Sequence, residues 1–327
     1  MRAIGFSNFG DAPVMGILDL PEPHPGPTQV RIRVAAADIN ISDAMARSFT
    51  EAAYHEVLLH SPERAAELRA IIPVHTGSYV LGWDAAGVVD EIGSDVEYFA
   101  PGDAVIAVVQ PVLDRGAQAE FIVVDVQSVV LAPRGRSFVE SSTLLMNALT
   151  ARLALGSLQL TSGDAIAVTG AAGAVGGYAV QLAKSQGLRV VADAKAGEED
   201  LIAGLGADLV FPRGAEFAAH VNREVSAVQG VVDAAKLGDA VVDAVADGGK
   251  IFSPLGFVGS TDRGVSWTHR VVAEHIGDTR VLAQLRDAAE AGALTLRVAR
   301  TFLPEQAAEA HQLLEAGGVR GRLVFTL

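Results

Sequence analysis

The chain has 327 residues, enough for two hydrophobic cores rather than one, and half of them are hydrophobic against 20% charged, the balance of a folded globular protein. A formal net charge of −14 disfavours a broad nucleic-acid surface, which needs clustered Lys and Arg, and the absence of cysteine removes disulfides, thiolate nucleophiles and every zinc site with a sulfur ligand. No apolar run approaches the roughly 18 residues that cross a bilayer, and Met1 leads into RAIGF without a signal-peptide pattern, so no membrane partner and a cytoplasmic location are expected.

In chain order, QVRIRVAAADI and AGVVDEIG, punctuated by PEPHPGP and APGD, predict a β-rich first domain. Within residues 44–79, Ser61-Pro62-Glu63 reads as N-cap, first helical residue and first-turn acid. Ala65, Leu68 and Ile72 share a helical face, and two helices are expected there. From Thr161 to Pro254 short apolar strands alternate with alanine-rich helices: DAIAVTG, LRVVADA, ADLVF, GVVDAA and GKIFSPLG. That rhythm predicts a doubly wound parallel sheet. Near the end, PEQAAEAHQLLEAG predicts a helix from Pro304-Glu305 to Gly317, with Ala307, Ala310, His311 and Leu314 on one side. The final strand, GRLVFTL, has no neighbour of its own and is expected to pair in the first domain.

The densest signal is VTGAAGAVGGYAVQLAKSQGLRVVADA, from Val168 to Ala194. Its glycines at Gly170, Gly173 and Gly176 give G-x-x-G-x-x-G, one residue longer in the first gap than the standard dinucleotide fingerprint and weak by itself. The context strengthens it: a buried-strand pattern precedes, Val175, Ala179, Leu182 and Ala183 form a stripe on the following helix, and Gly187 stops it. Backbone N–H groups at a helix start favour a pyrophosphate, so Gly170, Gly173, Ala174, Val175 and Gly176 are read as its loop. The alternative is a turn that only lets helix and sheet pack. Asp193 ends the second strand, where a carboxylate can accept from the ribose hydroxyls of NADH and repel the extra phosphate of NADPH. Lys195 pulls toward NADPH unless it is a plain surface lysine. With Glu198, Glu199 and Asp200 following, the expectation leans to NADH.

On ADINISDAMAR, GWDAAGVVDEIGSDVEYFAPGDAVIAV, NALTARLAL, the glycine stretch and AAEAHQLLEAGGVRGRLVF, the chain resembles the zinc-independent, quinone oxidoreductase branch of the medium-chain dehydrogenase/reductase superfamily. The resemblance runs nearly end to end. It implies an α/β fold: a GroES-like β-rich catalytic domain from residues 1–130 and 262–327 around a Rossmann doubly wound parallel-sheet domain, 131–261. It also implies a homodimer. Zinc-dependent members carry Gly-His-Glu where this chain has Gly82-Trp83-Asp84, and the eight histidines show no short metal-ligand spacing, so no metal is expected.

A metal-free site of this kind must pass hydride to an acceptor already electron-poor, a small-molecule quinone or enone, and stabilise charge on its oxygen. The resemblance places Asn40 beside the nicotinamide as the first candidate donor; fixing a turn is the equal alternative, and Asp43 reads as backbone support. Thr150 matches a cofactor-facing threonine or packs inside a helix. Tyr54 and Tyr79 are candidate proton donors to an enolate, without a confirming motif. Ala235, Leu255, Gly256 and Phe257 follow late strands, where open parallel sheets bind ligands, although Phe257 equally suits a core. Segment 44–79 exceeds the family's usual connection and reads as either a lid on the substrate pocket or a packing elaboration. An enoyl-thioester reductase and a catalytically silent nicotinamide-binding regulator are the alternative functions.

Overall fold

The computed structural model describes residues 1–48, 77–110 and 115–327. Of segment 44–79, in which two helices are expected, residues 49–76 lie outside the described residues, Tyr54 among them. The chain forms two compact units. One comprises Met1–Leu145, Ile276–Asp287 and Leu296–Leu327; the other comprises Met146–His275 and Ala288–Thr295.

The first unit begins with β1 (Arg2–Phe6), β2 (Gly16–Asp19), β3 (Gln29–Ile39), α1 (Ile41–Arg47), β4 (Tyr79–Val80), β5 (Asp84–Ile92), β6 (Ala104–Val108), β7 (Phe121–Asp125) and β8 (Val129–Leu131). In β3, Val30, Ile32 and Val34 are buried while Arg31 and Arg33 point outward, the period of two of a half-covered strand. Taking each such Val or Ile out of water contributes about 1.5–3 kcal/mol, so this face fixes the register. From Ala36 to Ile39 the alternation stops and every residue is buried, Asp38 included.

The second unit holds α2 (Leu145–Leu158, from its second residue), β9 (Ala165–Thr169), α3 (Ala174–Ser185), β10 (Arg189–Ala194), α4 (Glu199–Gly204), β11 (Leu209–Pro212), α5 (Phe217–Val225), β12 (Val228–Asp233), β13 (Val245–Phe252) and β14 (Ser266–Thr268). The strands lie in the order β11-β10-β9-β12-β13-β14, and every pairing is parallel. Val168, Val190, Val191, Val231, Val232 and Ile251 are fully buried, because strands covered on both faces need continuous apolar runs. Burial along α3 runs unbroken from Gly176 to Ala183, more than the single stripe expected, while Val175 at its start is half-exposed.

The chain then returns through α6 (Thr279–Glu290), β15 (Val298–Phe302), α7 (Ala307–Ala316) and β16 (Arg322–Thr326). As expected, β16 pairs antiparallel with β3, in a sheet ordered β15-β16-β3-β5-β6-β8 with β7 also on β3. Ala307, Ala310 and His311 are buried on α7, and Gly317 caps it with φ of 73°. The boundary between units lies about 15 residues later than 131 and 261. The capped turn Phe138–Ser141 packs on β3 and β5, and β14 extends the parallel sheet past residue 261.

Candidate active site

The glycine turn sits at the carboxyl end of β9. Gly170 has φ of +67°, a left-handed conformation that L side chains avoid, and a Cβ there would lie 3.0 Å from the backbone of Ala234 and Ala235. At Gly176 a Cβ would come within 2.3 Å of Gly170 O, so this glycine sets the close approach of α3 to the strand. Gly173, the N-cap of α3, is different: φ is −75°, and its Cβ would meet only Gly170 O at 3.0 Å. The first intrahelical donor is Gly177 N–H, which reaches Gly173 O at 3.0 Å, so the amides of Ala174, Val175 and Gly176 belong to the first turn that faces out of the helix end. A pyrophosphate fits this cradle by charge and by the bare approach at Gly173.

Asp193 is not where the ribose reading put it to use. Its carboxylate is fully buried. Oδ1 accepts from Gly170 N–H at 2.7 Å and Ala171 N–H at 3.4 Å, and Arg213 donates Nε to Oδ2 at 2.5 Å and Nη2 to Oδ1 at 3.1 Å. The acid holds the loop and a cation, which occupies the lone pairs that ribose hydroxyls would need. Arg213 was invisible to pattern reading because it follows β11, a strand away in space and 20 residues away in sequence.

A second turn mirrors the first. Thr169 Oγ1 donates to Asp233 Oδ1 at 2.6 Å and accepts Ala235 N–H at 3.0 Å, while Asp233 takes the N–H groups of Leu237 and Gly238 at 2.9 Å each. Ala235 is thereby fixed beside Gly170 at the point where strand order reverses, between β9 and β12. Beyond β13, Gly256 has φ of +71°, Leu255 is half-buried, and Phe257 is 47% exposed, edge-on to Trp267, rather than in the core. Thr150 donates its hydroxyl to Met146 O at 2.7 Å within α2. Lys195 is exposed past the end of β10. In the other unit, Tyr79 packs on Phe6 and Phe9 at centroid distances of 5.1 and 4.8 Å in a buried cluster, a packing position rather than that of an open proton donor.

Residues 26–134 match the alcohol dehydrogenase GroES-like domain and residues 205–325 the zinc-binding dehydrogenase domain. Over 136 residues the chain is 38% identical to the mouse (Mus musculus) mitochondrial NAD(P)H oxidoreductase RTN4IP1, a match covering 40% of this chain and 34% of that protein. The chain thus spans about a third of that curated relative's length. The quinone oxidoreductase of Coxiella burnetii superposes with a TM-score of 0.83 at 26% identity, over 100% of this chain and 99% of that one. Mycobacterial Rv1454c, solved with NADPH, gives 0.81 at 25% identity over 100% of both chains. The chain belongs to the medium-chain dehydrogenase/reductase superfamily.

Where zinc-dependent members of the superfamily place a Glu, this member has Asp84, and it lies in a buried network. Asp38 at the end of β3, Asp84 at the start of β5 and Arg322 at the start of β16 are brought side by side by the pairing of Ala37 with Ala85 and Ile39 with Leu323. Asp38 accepts from Arg322 Nε and Asn40 Nδ2, both at 2.7 Å. Burial pushes Asp38 up against the pull of Arg322. Asn40 is also the N-cap of α1, where its own N–H donates to Asp43 Oδ2 at 2.8 Å. Asp43 further accepts from Gly82 N–H and Gln118 Nε2, each at 3.2 Å, which gives it the supporting role expected. Burial first, with Asp38 adding to it, pushes the Asp43 carboxyl up to about 7. Among the described residues no group of three His, Cys, Asp or Glu is placed to hold a metal ion. Chemically, the network fixes the Asn40 amide in one orientation.

Proposed function

We propose that this protein transfers hydride from a nicotinamide cofactor to a quinone or an activated alkene, without zinc. The observation that carries the reading is the bare amide cradle at the start of α3, set in a parallel sheet of this superfamily. When bound, the reduced nicotinamide supplies the hydride. The amides of Ala174, Val175 and Gly176 would hold the pyrophosphate, and Ala235, fixed by the turn that Thr169 and Asp233 shape, would bound the nicotinamide together with Leu255, Gly256 and Phe257. Asn40, oriented by Asp38, is the proposed donor to an acceptor oxygen that gains negative charge. The names of the mouse relative and of the Coxiella structure support this reaction class.

The lack of cysteine and the Trp83 in place of the usual histidine support metal independence. The same reading includes a cytoplasmic homodimer acting on small molecules. The expectation of NADH rested on Asp193 meeting the ribose and on the acids Glu198, Glu199 and Asp200 that follow it; with Asp193 committed to Arg213, the proposal covers both nicotinamides. Steady-state oxidation of NADH and NADPH with a panel of quinones and enones tests the reaction. Tight cofactor binding with no turnover of any acceptor would sink the enzyme reading in favour of a silent binder.

A further inference from the structure

We propose that Gln118 is a positioning residue for the hydride transfer: its amide ties Asp38 to Asp43 and so fixes the Asn40 side chain that donates to the acceptor oxygen. The inference rests on the reading of Asn40 as that donor. Asn40 is gripped at two points, its Nδ2 on Asp38 Oδ1 at 2.7 Å and its backbone N–H on Asp43 Oδ2 at 2.8 Å. Both gripping residues meet in Gln118, whose Nε2 donates to Asp38 O and to Asp43 Oδ2 at 3.2 Å each. A side-chain amide carries two donor protons, so this bridge takes both of them.

The backbone sets this amide in place. Gln118 N–H donates to Leu81 O at 2.9 Å, and Gln118 O accepts Ile4 N–H at 2.8 Å. Its side chain lies against Gly82, where φ is +107° and a Cβ would come within 2.8 Å of Gln118 Cγ, so the glycine leaves room for it. Gln118 is fully buried, and its Oε1 has no hydrogen-bond partner among the described residues. An unpaired buried carbonyl oxygen lowers stability. A methionine would fill similar space without one. What methionine lacks is the pair of donors. A glutamate would keep the shape but set another carboxyl beside Asp43, which burial and Asp38 already push up to about 7. An uncharged double donor holds both acids without altering the charge of the cluster. Without it, Asp38 O and Asp43 each lose a donor while Asn40 keeps both of its own bonds, so the loss falls on the alignment of Asn40 rather than on folding.

The test uses the purified full chain, NADPH and the acceptor that turns over fastest among the quinones and enones. Gln118→Met should lower kcat about five- to tenfold, the effect of one hydrogen bond on alignment. Its Tm should stay within about 4 °C of wild type. The KM and binding affinity for NADPH should change by less than about twofold, since the phosphate turn belongs to the other unit. Asn40→Ser keeps a helix-capping hydroxyl but removes the amide donor, and should lower kcat at least as far. The double variant should be no slower than Asn40→Ser alone, because Gln118 acts through Asn40. Wild-type kcat in a folded Gln118→Met protein, or losses that multiply in the double variant, would overturn the inference. So would a Tm lowered beyond that range in both Gln118→Met and Gln118→Leu, which would assign the amide to folding. An undiminished kcat in Asn40→Ser would instead overturn the reading of Asn40 as the donor, and this inference with it.

Discussion

Arg213 and Asp193 meet in two hydrogen bonds, Nε to Oδ2 at 2.5 Å and Nη2 to Oδ1 at 3.1 Å, while the same Oδ1 takes the Gly170 N–H at 2.7 Å. One buried carboxylate thus ties the phosphate turn to a cation two strands away. Asp193→Asn keeps the shape but offers one acceptor oxygen where two are in use. It should lower stability by about 1.5–3 kcal/mol, the worth of a hydrogen bond to a charged group, and weaken both nicotinamides because the turn loosens. Urea unfolding and cofactor titration check this. Wild-type midpoint and affinities would show that the turn stands without Asp193.

The three glycines should separate by role. Gly173→Val meets one carbonyl oxygen and keeps an allowed backbone, so it should fold yet lose both cofactors by filling the approach to the helix amides. Gly176→Val must push α3 off the strand end and should cost about 1–3 kcal/mol or more. Unfolding curves and fluorescence titrations on the two variants distinguish them; a folded Gly173→Val protein with undiminished affinity would remove the phosphate loop from this site.

Stability should respond to pH through two buried groups of opposite sense. Asp43 is raised to about 7, so between about 4, its unfolded value, and 7 the folded state keeps a proton that the unfolded state has released. Its contribution is full at low pH and lost as pH rises through 7. His311, whose ring nitrogens lack hydrogen-bond partners among the described residues in the interior near Arg47, is pushed down to about 3 by burial and by that positive neighbour. Below about 6.5 only the unfolded chain protonates it, so its contribution is lost as pH falls. Relative to wild type, His311→Leu should gain stability on going from pH 7 to pH 5, and Asp43→Asn should lose it. Denaturation midpoints at pH 5, 6 and 7 read both slopes, and parallel profiles in all three proteins would refute the pairing of effects.

Metal removal should leave catalysis intact. Dialysis against a strong chelator is expected to change neither kcat nor KM for the best acceptor, and native mass spectrometry should find no stoichiometric zinc. Activity that falls on stripping and returns with zinc would mean that ligands other than the family's cysteine and histidine hold a catalytic ion.

Much of this molecule was legible in the chain because its signals are local. A left-handed turn demands glycine at 170, a close crossing demands it at 176, strands buried on both faces need runs such as AIAVT, and Gly187 and Gly317 end helices within a few residues of the patterns they close. Even the return of the last strand to the first domain followed from its having no partner nearby. What a titratable side chain does is another matter, because it depends on which donors and charges arrive within about 3 Å, and those come from elsewhere in the sequence. Asp193 had the position of a ribose acceptor until Arg213 was folded against it. Tyr79 had the chemistry of a proton donor until Phe6 and Phe9 closed on its ring. Asp38, one acid in an otherwise apolar strand end, acquired its acidic neighbour and its cation only when β5 and β16 were laid on either side of β3. Backbone conformation is written in neighbouring residues; the charge state and partners of a buried carboxylate are decided by strand order.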